Sequence, residues 1–407
     1  MTRLWDKGAP LDERVLRYSA GEDYALDERL VAYDVRASIA HAEMLAKQQL
    51  LGAADLAAIR AALEMLAAEH ARGLWHIELE DEDGQTALER LLTARIGAAG
   101  ARIHLGRSRN DQVLAAIRLY LRDTVARLAR GALEVADALG GLAAREPHTV
   151  LPGYTHMQQA MPSSVPLWAA GFAAEIRDDA EGLTAVLRRI DKNPLGSAAG
   201  YGTPGLPIDR NVTAAALGFA TLHTPVTAVQ LSRGKAEAQL LFEICLLLQD
   251  LGRLAVDVLL FTTQEFGFAA LSEAFTTGSS IMPQKRNPDV FELMRGRSAS
   301  AQACLAEALG VCAKLPSGYS RDLQLLKFPL FRGIDLATAT LDIAPPAIAA
   351  LAFRREAIWL DPAINAAEEA NRLVVTEGIP FREAYRRVAM RLRSLAAAQH
   401  AADDSPA

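Results

Sequence analysis

Residues 112–144 form one continuous segment in which apolar side chains recur at nearly every third or fourth position. This spacing places them on one side of an α-helix, so the segment predicts one long amphipathic helix. A helix of this length is typical of bundles in which several long helices pack side by side. The residues that make the pattern are Val113, Leu114, Ile117, Leu121, Val125, Leu128, Ala132, Val135, Leu139 and Leu142.

Four further segments have the same helical spacing, and the composition agrees with it. The chain of 407 residues is 51% hydrophobic but only 6% aromatic, and period-two alternation of β-branched residues is almost absent. We therefore predict an all-α protein with a central bundle of five long helices at 111–352, an N-terminal helical domain at 1–110 and a short C-terminal helical domain at 353–407. The four segments are 164–190, 229–266, 291–315 and 330–351, the last interrupted near Pro345 and Pro346.

Charge and composition exclude several classes of protein. The net charge of −6 is too small to indicate a nucleic-acid partner. No apolar run reaches about 18 residues, and residues 1–6 lack the apolar stretch of a secretory signal. We therefore predict a cytoplasmic protein without a membrane partner. Cys245, Cys304 and Cys312 lie in apolar helical segments without the spacing of a zinc site, which predicts buried hydrophobic roles.

A small polar segment with the sequence GSSIMPQKRNP, residues 278–288, lies between two apolar helical segments. Its glycine favours a turn, and its two prolines fix φ at two points. Ser279, Lys285 and Asn287 supply a hydroxyl, an ammonium and an amide group. A rigid loop that carries these groups indicates a binding or catalytic role rather than a plain helix connection.

Three other dense polar stretches separate the long helices. Successive loops of an up-and-down bundle alternate between its ends, so residues far apart in sequence can converge at one end or across subunits. Within the first stretch, Asn110 or Asp111 could also cap the helix that follows. The stretches are 102–112 (RIHLGRSRNDQ), 153–159 (GYTHMQQ) and 316–327 (PSGYSRDLQLLK).

Together these stretches resemble the motifs of the argininosuccinate lyase family, a δ-crystallin-like branch of the fumarase/aspartase superfamily. The loop at 278–288 resembles the superfamily pattern GSSxMPxKxNP. The stretches SRNDQ at 108–112 and YSRDLQ at 319–324 narrow the resemblance to that family. Segments 194–197, 207–210 and 378–384 resemble further family motifs, so the resemblance covers nearly the whole chain.

The resemblance implies a carbon–nitrogen lyase that splits argininosuccinate into L-arginine and fumarate, the last step of arginine biosynthesis. The family's base is the first serine of the loop, here Ser279, which removes a proton next to a carboxylate. A serine hydroxyl is a weak base, so we expect Lys285, Asn287 and backbone N–H groups to stabilise the negative charge that develops. His156 resembles the family's histidine that protonates the leaving nitrogen.

The resemblance also implies substrate contacts and an assembly. It implies no metal or organic cofactor, and a homotetramer with active sites shared between subunits. Apolar residues beyond one stripe of the long helices also predict helices buried between subunits. Arg109 and Arg233 are candidate partners of substrate carboxylates, Arg233 on a looser match. The other residues that stand where the family contacts its substrate are Asn110, Thr155, Tyr319, Gln324 and Lys327.

Some positions depart from the family pattern. Gln85 stands where a histidine is usual, and Gln159 stands where an arginine is usual. Asp23 stands where a substrate-binding serine is usual, and Leu325-Leu326 replace an acidic pair. Two alternatives therefore stay open: another fumarate-producing lyase of the superfamily, and a non-catalytic structural relative, against which the retained catalytic residues argue.

Overall fold

The structure, a computed structural model, describes residues 12–403 of the chain and the side chains up to residue 395. Most of the described chain is helical, and the strands are few and short, so the predicted all-α class is confirmed. The predicted N-terminal feature at residues 1–6 lies outside the described residues. No helix in the described part is long and apolar enough to cross a membrane.

The helices begin and end close to the predicted positions. In chain order they are α1 Glu13–Ala20, α2 Asp23–Leu26, α3 Val31–Lys47, α4 Ala53–Ala71, α5 Gly84–Ile96, α6 Ala98–Ala101, α7 Arg109–Arg145, α8 Val165–Ala185, α9 Leu187–Ile190, α10 Arg210–Leu217, α11 Thr227–Leu231, α12 Lys235–Phe261, α13 Asp289–Cys312, α14 Lys327–Ala349, α15 Ala366–Glu377 and α16 Phe381–Asp403.

The five long helices predicted for the bundle are α7, α8, α12, α13 and α14, while α16 near the C-terminus is as long as α14. One prediction about the five was wrong. Helix α14 continues through Pro345 and Pro346, where an interruption was predicted. A proline ring fixes φ near the helical value, so the backbone can stay helical although two N–H donors are missing.

Among the described residues, eight short strands pair into four two-stranded sheets. The composition did not predict these strands, because each has only two to seven residues and they do not form a half-buried sheet. Strand β1 Val150–Thr155 pairs antiparallel with β2 Gln158–Ser164, and β3 Lys192–Asn193 pairs parallel with β4 Thr221–Leu222. Strand β5 Ala269–Leu271 pairs antiparallel with β8 Leu351–Phe353, and β6 Thr277–Gly278 with β7 Arg286–Asn287.

The described residues divide into two compact units, and each contains parts of the long helices. Unit 1 comprises the described residues up to Ala132, Asp178–Gln249 and Gly296–Leu341. Unit 2 comprises Leu133–Arg177, Asp250–Arg295 and the described residues from Asp342. The predicted division at residues 110 and 352 stays a prediction.

Unit 1 has a core of closely packed helices. Leu45, Ile59 and Leu92, from α3, α4 and α5, are fully buried in its N-terminal part. Further along the chain, α14 lies against α12, and Gly333 permits the approach. A Cβ atom on Gly333 would lie 2.3 Å from Cδ2 of Leu241, so no larger residue fits there without movement.

Unit 2 is organised around an aromatic cluster. Trp168 of α8 packs edge-on against Phe261 of α12, with ring centroids 5.6 Å apart, and against Phe353 of β8 at 6.2 Å. The indole N–H of Trp168 donates to Oδ2 of Asp257 at 2.9 Å, which satisfies its one polar atom. This cluster joins α8, α12 and β8.

Candidate active site

Unit 1 contains a cavity of about 410 Å³ where the start of α7, the start of α5 and the segment before α14 meet. Five cationic side chains and two carboxylates line it, although the whole chain is acidic. This concentration of positive charge favours a ligand with several negative groups. The lining residues are Asp23, Asp83, Gln85, His104, Arg107, Ser108, Arg109, Asn110, Val113, Arg233, Tyr319, Arg321, Gln324 and Lys327.

Asp111 holds the start of α7 in place from inside the first turn of the helix, where it accepts from a backbone N–H before the helix rather than being the N-cap residue. Its Oδ1 accepts from the Ser108 N–H at 3.0 Å, and its Oδ2 accepts from the N–H groups of Gly196 and Ala198 at 3.0 and 2.8 Å. Burial raises the pKa of Asp111 to about 6, and the three N–H donors oppose that rise. Asp111 therefore fixes the turn that presents Arg109 and Asn110 to the cavity.

Arg109, the first residue of α7, extends to the start of α5. Its Nη1 donates to Oδ2 of Asp83 at 2.8 Å. The other oxygen of Asp83 caps α5, because it accepts from the N–H and the hydroxyl of Thr86 at 2.8 and 2.7 Å. Both oxygens of Asp83 are thus engaged, and the guanidinium of Arg109 is held by one carboxylate while its remaining N–H donors stay available.

Arg233 is the least satisfied cation of the cavity. It is only 5% exposed, and its Nη2 donates to the Leu323 carbonyl at a long 3.4 Å. Its Nε and Nη1 have no hydrogen-bond partner among the described residues. The guanidinium lies over the ring of Tyr319, 5.9 Å from the centroid. A buried guanidinium with two unpaired donors is a strong site for an anionic group.

Lys327 is buried between two carboxylates. Its Nζ lies 3.0 Å from Oδ2 of Asp23 and 2.5 Å from Oδ1 of Asp27. Burial lowers the pKa of Lys327, but the two carboxylates outweigh it and hold that pKa above its usual value. Burial raises the pKa of Asp23 to about 7, against the opposing effect of Lys327. The ammonium is thus fixed in position before any ligand arrives.

Gln324 and Gln85, both at the cavity wall, already have partners. The Gln324 amide donates to the carbonyls of Ser19 and Ala20 at 3.0 and 3.1 Å, which ties it to the end of α1. Gln85 donates to the buried carboxylate of Asp34 at 3.0 Å. Both side chains therefore shape the wall, whatever contact they make with a ligand.

Sequence reasoning missed three charged residues around this cavity: Arg107, Arg321 and Asp27. Arg107 is buried and donates to the hydroxyl of Ser38 at 2.8 Å. Arg321 pairs with Glu82 at 3.0 Å. The two arginines lie inside the quoted motifs, where their positive charge was a signal. Asp27 gave no signal, because its role depends on Lys327, 300 positions away.

In unit 2, the loop of residues 278–288 is an exposed β-hairpin formed by β6 and β7. The hydroxyl oxygen of Ser279 accepts from the N–H groups of Ile281 and Met282 at 3.3 and 3.2 Å. Two N–H donors aimed at one oxygen favour negative charge on it. Asn287 donates to the hydroxyl of Thr277 at 3.5 Å, a weak contact, and Lys285 lies exposed on the same hairpin.

The second loop of unit 2 is the turn between β1 and β2. His156 and Met157 form it with φ of 54° and 59°. Two successive left-handed residues are usual for Asn-Gly, and side chains such as these cost of order 1 kcal/mol or more each. Gln159 anchors the hairpin, because it donates to the Trp359 carbonyl at 3.0 Å and accepts from the Asp361 N–H at 2.8 Å.

The predicted site residues thus fall into two groups. One group lines the cavity of unit 1: Arg109, Asn110, Arg233, Tyr319, Gln324 and Lys327. The other group lies on the two loops of unit 2: Thr155, His156, Ser279, Lys285 and Asn287. Within residues 12–403, no three His, Cys, Asp or Glu side chains are grouped so that they could hold a metal ion.

Comparison with known proteins identifies the family of the chain. The sequence profile of the lyase family matches residues 14–303. The chain is 49% identical to argininosuccinate lyase from Sorangium cellulosum over 98% of this chain and 93% of that protein. It is 43% identical to argininosuccinate lyase from Stenotrophomonas maltophilia, over 95% and 90% of the two chains.

Two solved structures extend the comparison. EDDS lyase in complex with formate superposes with a TM-score of 0.80 and 26% identity, over 95% of this chain and 77% of that one. Fumarate lyase from Mesorhizobium sp. BNC1 superposes with a TM-score of 0.74 at 20% identity, over 96% and 89%, which shows the shared fold.

The chain belongs to the lyase family, and its all-α fold is that of the fumarase/aspartase superfamily. Within that superfamily it belongs with the argininosuccinate lyases and is a carbon–nitrogen lyase.

Proposed function

We propose that this protein eliminates L-arginine from argininosuccinate and releases fumarate, the last step of arginine biosynthesis. The observation that carries the proposal is the cationic cavity of unit 1, combined with the identity of the chain to argininosuccinate lyases. Argininosuccinate bears three carboxylates, and its elimination adds charge to one of them. A cavity with five cationic side chains in an acidic protein suits such a substrate.

Arg233 is our candidate for the main carboxylate partner in the cavity. Its two unpaired donors are buried, and a buried donor without a partner costs about 1–3 kcal/mol. A substrate carboxylate would remove that cost on binding. Asn110 and Tyr319, on neighbouring parts of the wall, would contact the same substrate, and Arg109 would bind a second carboxylate.

Ser279 is the proposed base. The proton next to a carboxylate is weakly acidic, and the serine must ionise to take it. The two N–H groups that point at its oxygen support an alkoxide, and we propose that Lys285 adds an ammonium when the hairpin closes over the substrate. Asn287 would then stabilise the charge that develops on the substrate carboxylate.

His156 is the proposed acid, which protonates the leaving guanidino nitrogen, with Thr155 beside it as a substrate contact. The strained backbone of its turn supports this role, because strain of this kind clusters at functional sites. The imidazole is exposed at the tip of the hairpin and free to reach a substrate. No cofactor enters the proposed mechanism.

We propose a cytoplasmic homotetramer in which loops of other subunits complete the cavity. The support is the apolar surface of the long helices in unit 1. Phe242 and Leu246 of α12 are 48% and 39% exposed, and Leu309 of α13 is 55% exposed. Large exposed apolar residues on long helices favour contact with further copies of the chain.

A second candidate is another fumarate-producing lyase. Gln85 favours this second candidate, because it replaces the family's usual histidine and its amide donates to Asp34. The similarity to EDDS lyase shows that related folds act on other adducts.

Fumarate release separates the candidates. The purified protein would be incubated with argininosuccinate, adenylosuccinate, aspartate and malate, and fumarate followed by its ultraviolet absorbance. We expect fumarate from argininosuccinate alone. Fumarate from adenylosuccinate or malate but not from argininosuccinate would reject the proposed substrate, and fumarate from none of the four would reject the class.

A further inference from the structure

The cavity of unit 1 has one carboxylate oxygen that its neighbours leave free. Both oxygens of Asp83 are engaged, by Arg109 and by the cap of α5. Both oxygens of Asp27 are engaged as well, by Lys327 and by the Gly84 N–H at 3.1 Å. Asp23 differs, because its Oδ2 accepts from Lys327 and no described residue donates to its Oδ1.

A free carboxylate oxygen is unexpected in this place. Five cationic side chains of the cavity suit the carboxylates of a substrate, whereas a free carboxylate oxygen of the protein would repel those carboxylates. Asp23 lines the cavity and is only 8% exposed, so little of this residue is accessible to bulk water. A poorly hydrated acceptor favours a charged N–H donor, since such hydrogen bonds are about twice as strong as neutral ones.

We propose that Asp23 determines substrate specificity by accepting a hydrogen bond on Oδ1 from a cationic nitrogen of the substrate, its guanidinium or its α-ammonium group. The inference rests on the proposed function, which supplies a substrate that is anionic at one end and cationic at the other. Arginines then select the carboxylates, while Asp23 selects the adduct that carries a positive nitrogen and rejects adducts without one.

The charge of Asp23 makes this selection dependent on pH. The charged groups that act on it are Lys327 of α14, Asp27 and Asp83. Burial raises the pKa of Asp23 to about 7 despite Lys327. Only the ionised carboxylate attracts a cation, so affinity for the cationic product should rise as pH increases through about 7 and level off above it.

Product binding tests the inference separately from catalysis. L-Arginine carries the cationic groups and fumarate carries none, so both would be titrated calorimetrically into the wild-type protein, Asp23→Asn and a control, Asp335→Asn. Asn keeps the contact with Lys327 but removes the charge. The control removes an exposed carboxylate that pairs with Arg29 away from the cavity.

We expect Asp23→Asn to bind arginine about 10- to 100-fold more weakly, the effect of one charge-assisted hydrogen bond, and to lose the rise with pH. Its affinity for fumarate should stay equal or increase, and Asp335→Asn should match the wild type for both ligands. Unchanged arginine binding, or an equal loss for arginine and fumarate, would overturn the proposal.

Two further arms complete the test. Nα-Acetylarginine lacks the ammonium charge: an Asp23→Asn loss confined to arginine assigns the ammonium, and an equal loss for both assigns the guanidinium. Asp23→Ser, which restores the usual family residue, replaces Asp23→Asn if that variant does not fold. Arginine binding is measured without turnover, so the absence of fumarate release from argininosuccinate would reject the proposed function without deciding this test.

Discussion

The cavity of unit 1 and the two loops of unit 2 are built in opposite ways. In the cavity, Lys327 and Arg233 are almost fully buried, and Lys327 is held by carboxylates. On the loops, Ile281, whose N–H donates to Ser279, is 82% exposed, and the side chains of His156 and Lys285 are exposed to solvent. Charged groups proposed for binding are thus buried in the cavity, whereas groups proposed for chemistry lie on exposed loops.

Physical cost explains the difference. Removing a charge from water costs several kcal/mol, and in the case of Lys327 two carboxylate partners that are already in place offset this cost. An exposed hairpin has few buried contacts and belongs to the part of a protein that opens most easily. Such loops can rearrange around a substrate, and the cavity cannot. Three variants test this comparison.

The largest effect is expected at the Ser279 hairpin. Ser279→Ala should lower kcat by about 10³-fold or more, since general-base catalysis contributes about 10²–10⁴ and no nearby group replaces the hydroxyl. Substrate affinity should stay within a few-fold, because most of the residues proposed for binding are in unit 1 and Ser279 is proposed for proton removal. Fumarate release and calorimetric titration of argininosuccinate measure the two quantities.

The control is Ser280→Ala, which changes the neighbouring exposed serine in the same hairpin and should leave kcat near the wild-type value. Near-normal turnover in Ser279→Ala would remove this residue as the base.

The opposite pattern is expected for Arg233 in the cavity. Arg233→Gln should raise KM for argininosuccinate by about 10- to 100-fold, which is the value of one hydrogen bond to a charged group. Its kcat should fall much less, because the hairpins are untouched. Arg189→Gln, an exposed arginine of the same unit that donates to Gln239, is the matched control. A fall in kcat with KM unchanged would contradict the division of roles.

A smaller effect concerns the stability of the cavity wall. His41 is buried, its ring Nε2 lies 2.9 Å from the Leu105 carbonyl, and burial lowers its pKa to about 3. The unfolded chain takes up this proton below about pH 6.5, and the folded protein does not. The stability due to neutral His41 is therefore complete above about pH 6.5 and is lost as pH falls toward about 3, by about 1.4 kcal/mol per pH unit.

Urea unfolding between pH 5 and pH 7 measures this slope. His41→Gln keeps a donor for the Leu105 carbonyl and cannot ionise, so its stability should fall less steeply on acidification. His148→Gln changes an exposed histidine and should keep the wild-type slope. Equal slopes in all three proteins would show that His41 does not titrate in this way.

The sequence predicted the fold well where the same apolar pattern repeats over many helical turns. The apolar pattern of α7 extends over many turns and located it within a few residues. The short strands were not predictable, because the pairing of β6 with β7 depends on two residues on each side. The continuation of α14 through two prolines was not predicted, because a proline inside a helical pattern usually marks an interruption.

For the site, the motifs identified residues but not their hydrogen-bond partners. Motifs located Lys327 and Arg233, yet nothing in them shows that Lys327 has two carboxylate partners and that Arg233 lacks partners for two donors. Those facts depend on residues hundreds of positions apart. The role proposed for Asp23 follows from the same geometry, because its sequence position alone indicated only a departure from the family's usual serine.

Mixed oligomers test the central claim that binding and chemistry are divided between units and combined across subunits. One inactive protein would carry Arg109→Gln and Arg233→Gln in the cavity, and the other would carry Ser279→Ala in the hairpin. The two would be unfolded in urea, mixed and refolded together, and fumarate release measured at low argininosuccinate concentration. We predict turnover clearly above that of either parent protein, because some sites then combine an intact cavity with an intact hairpin from another copy. Turnover no higher than the average of the separately refolded parents would contradict it.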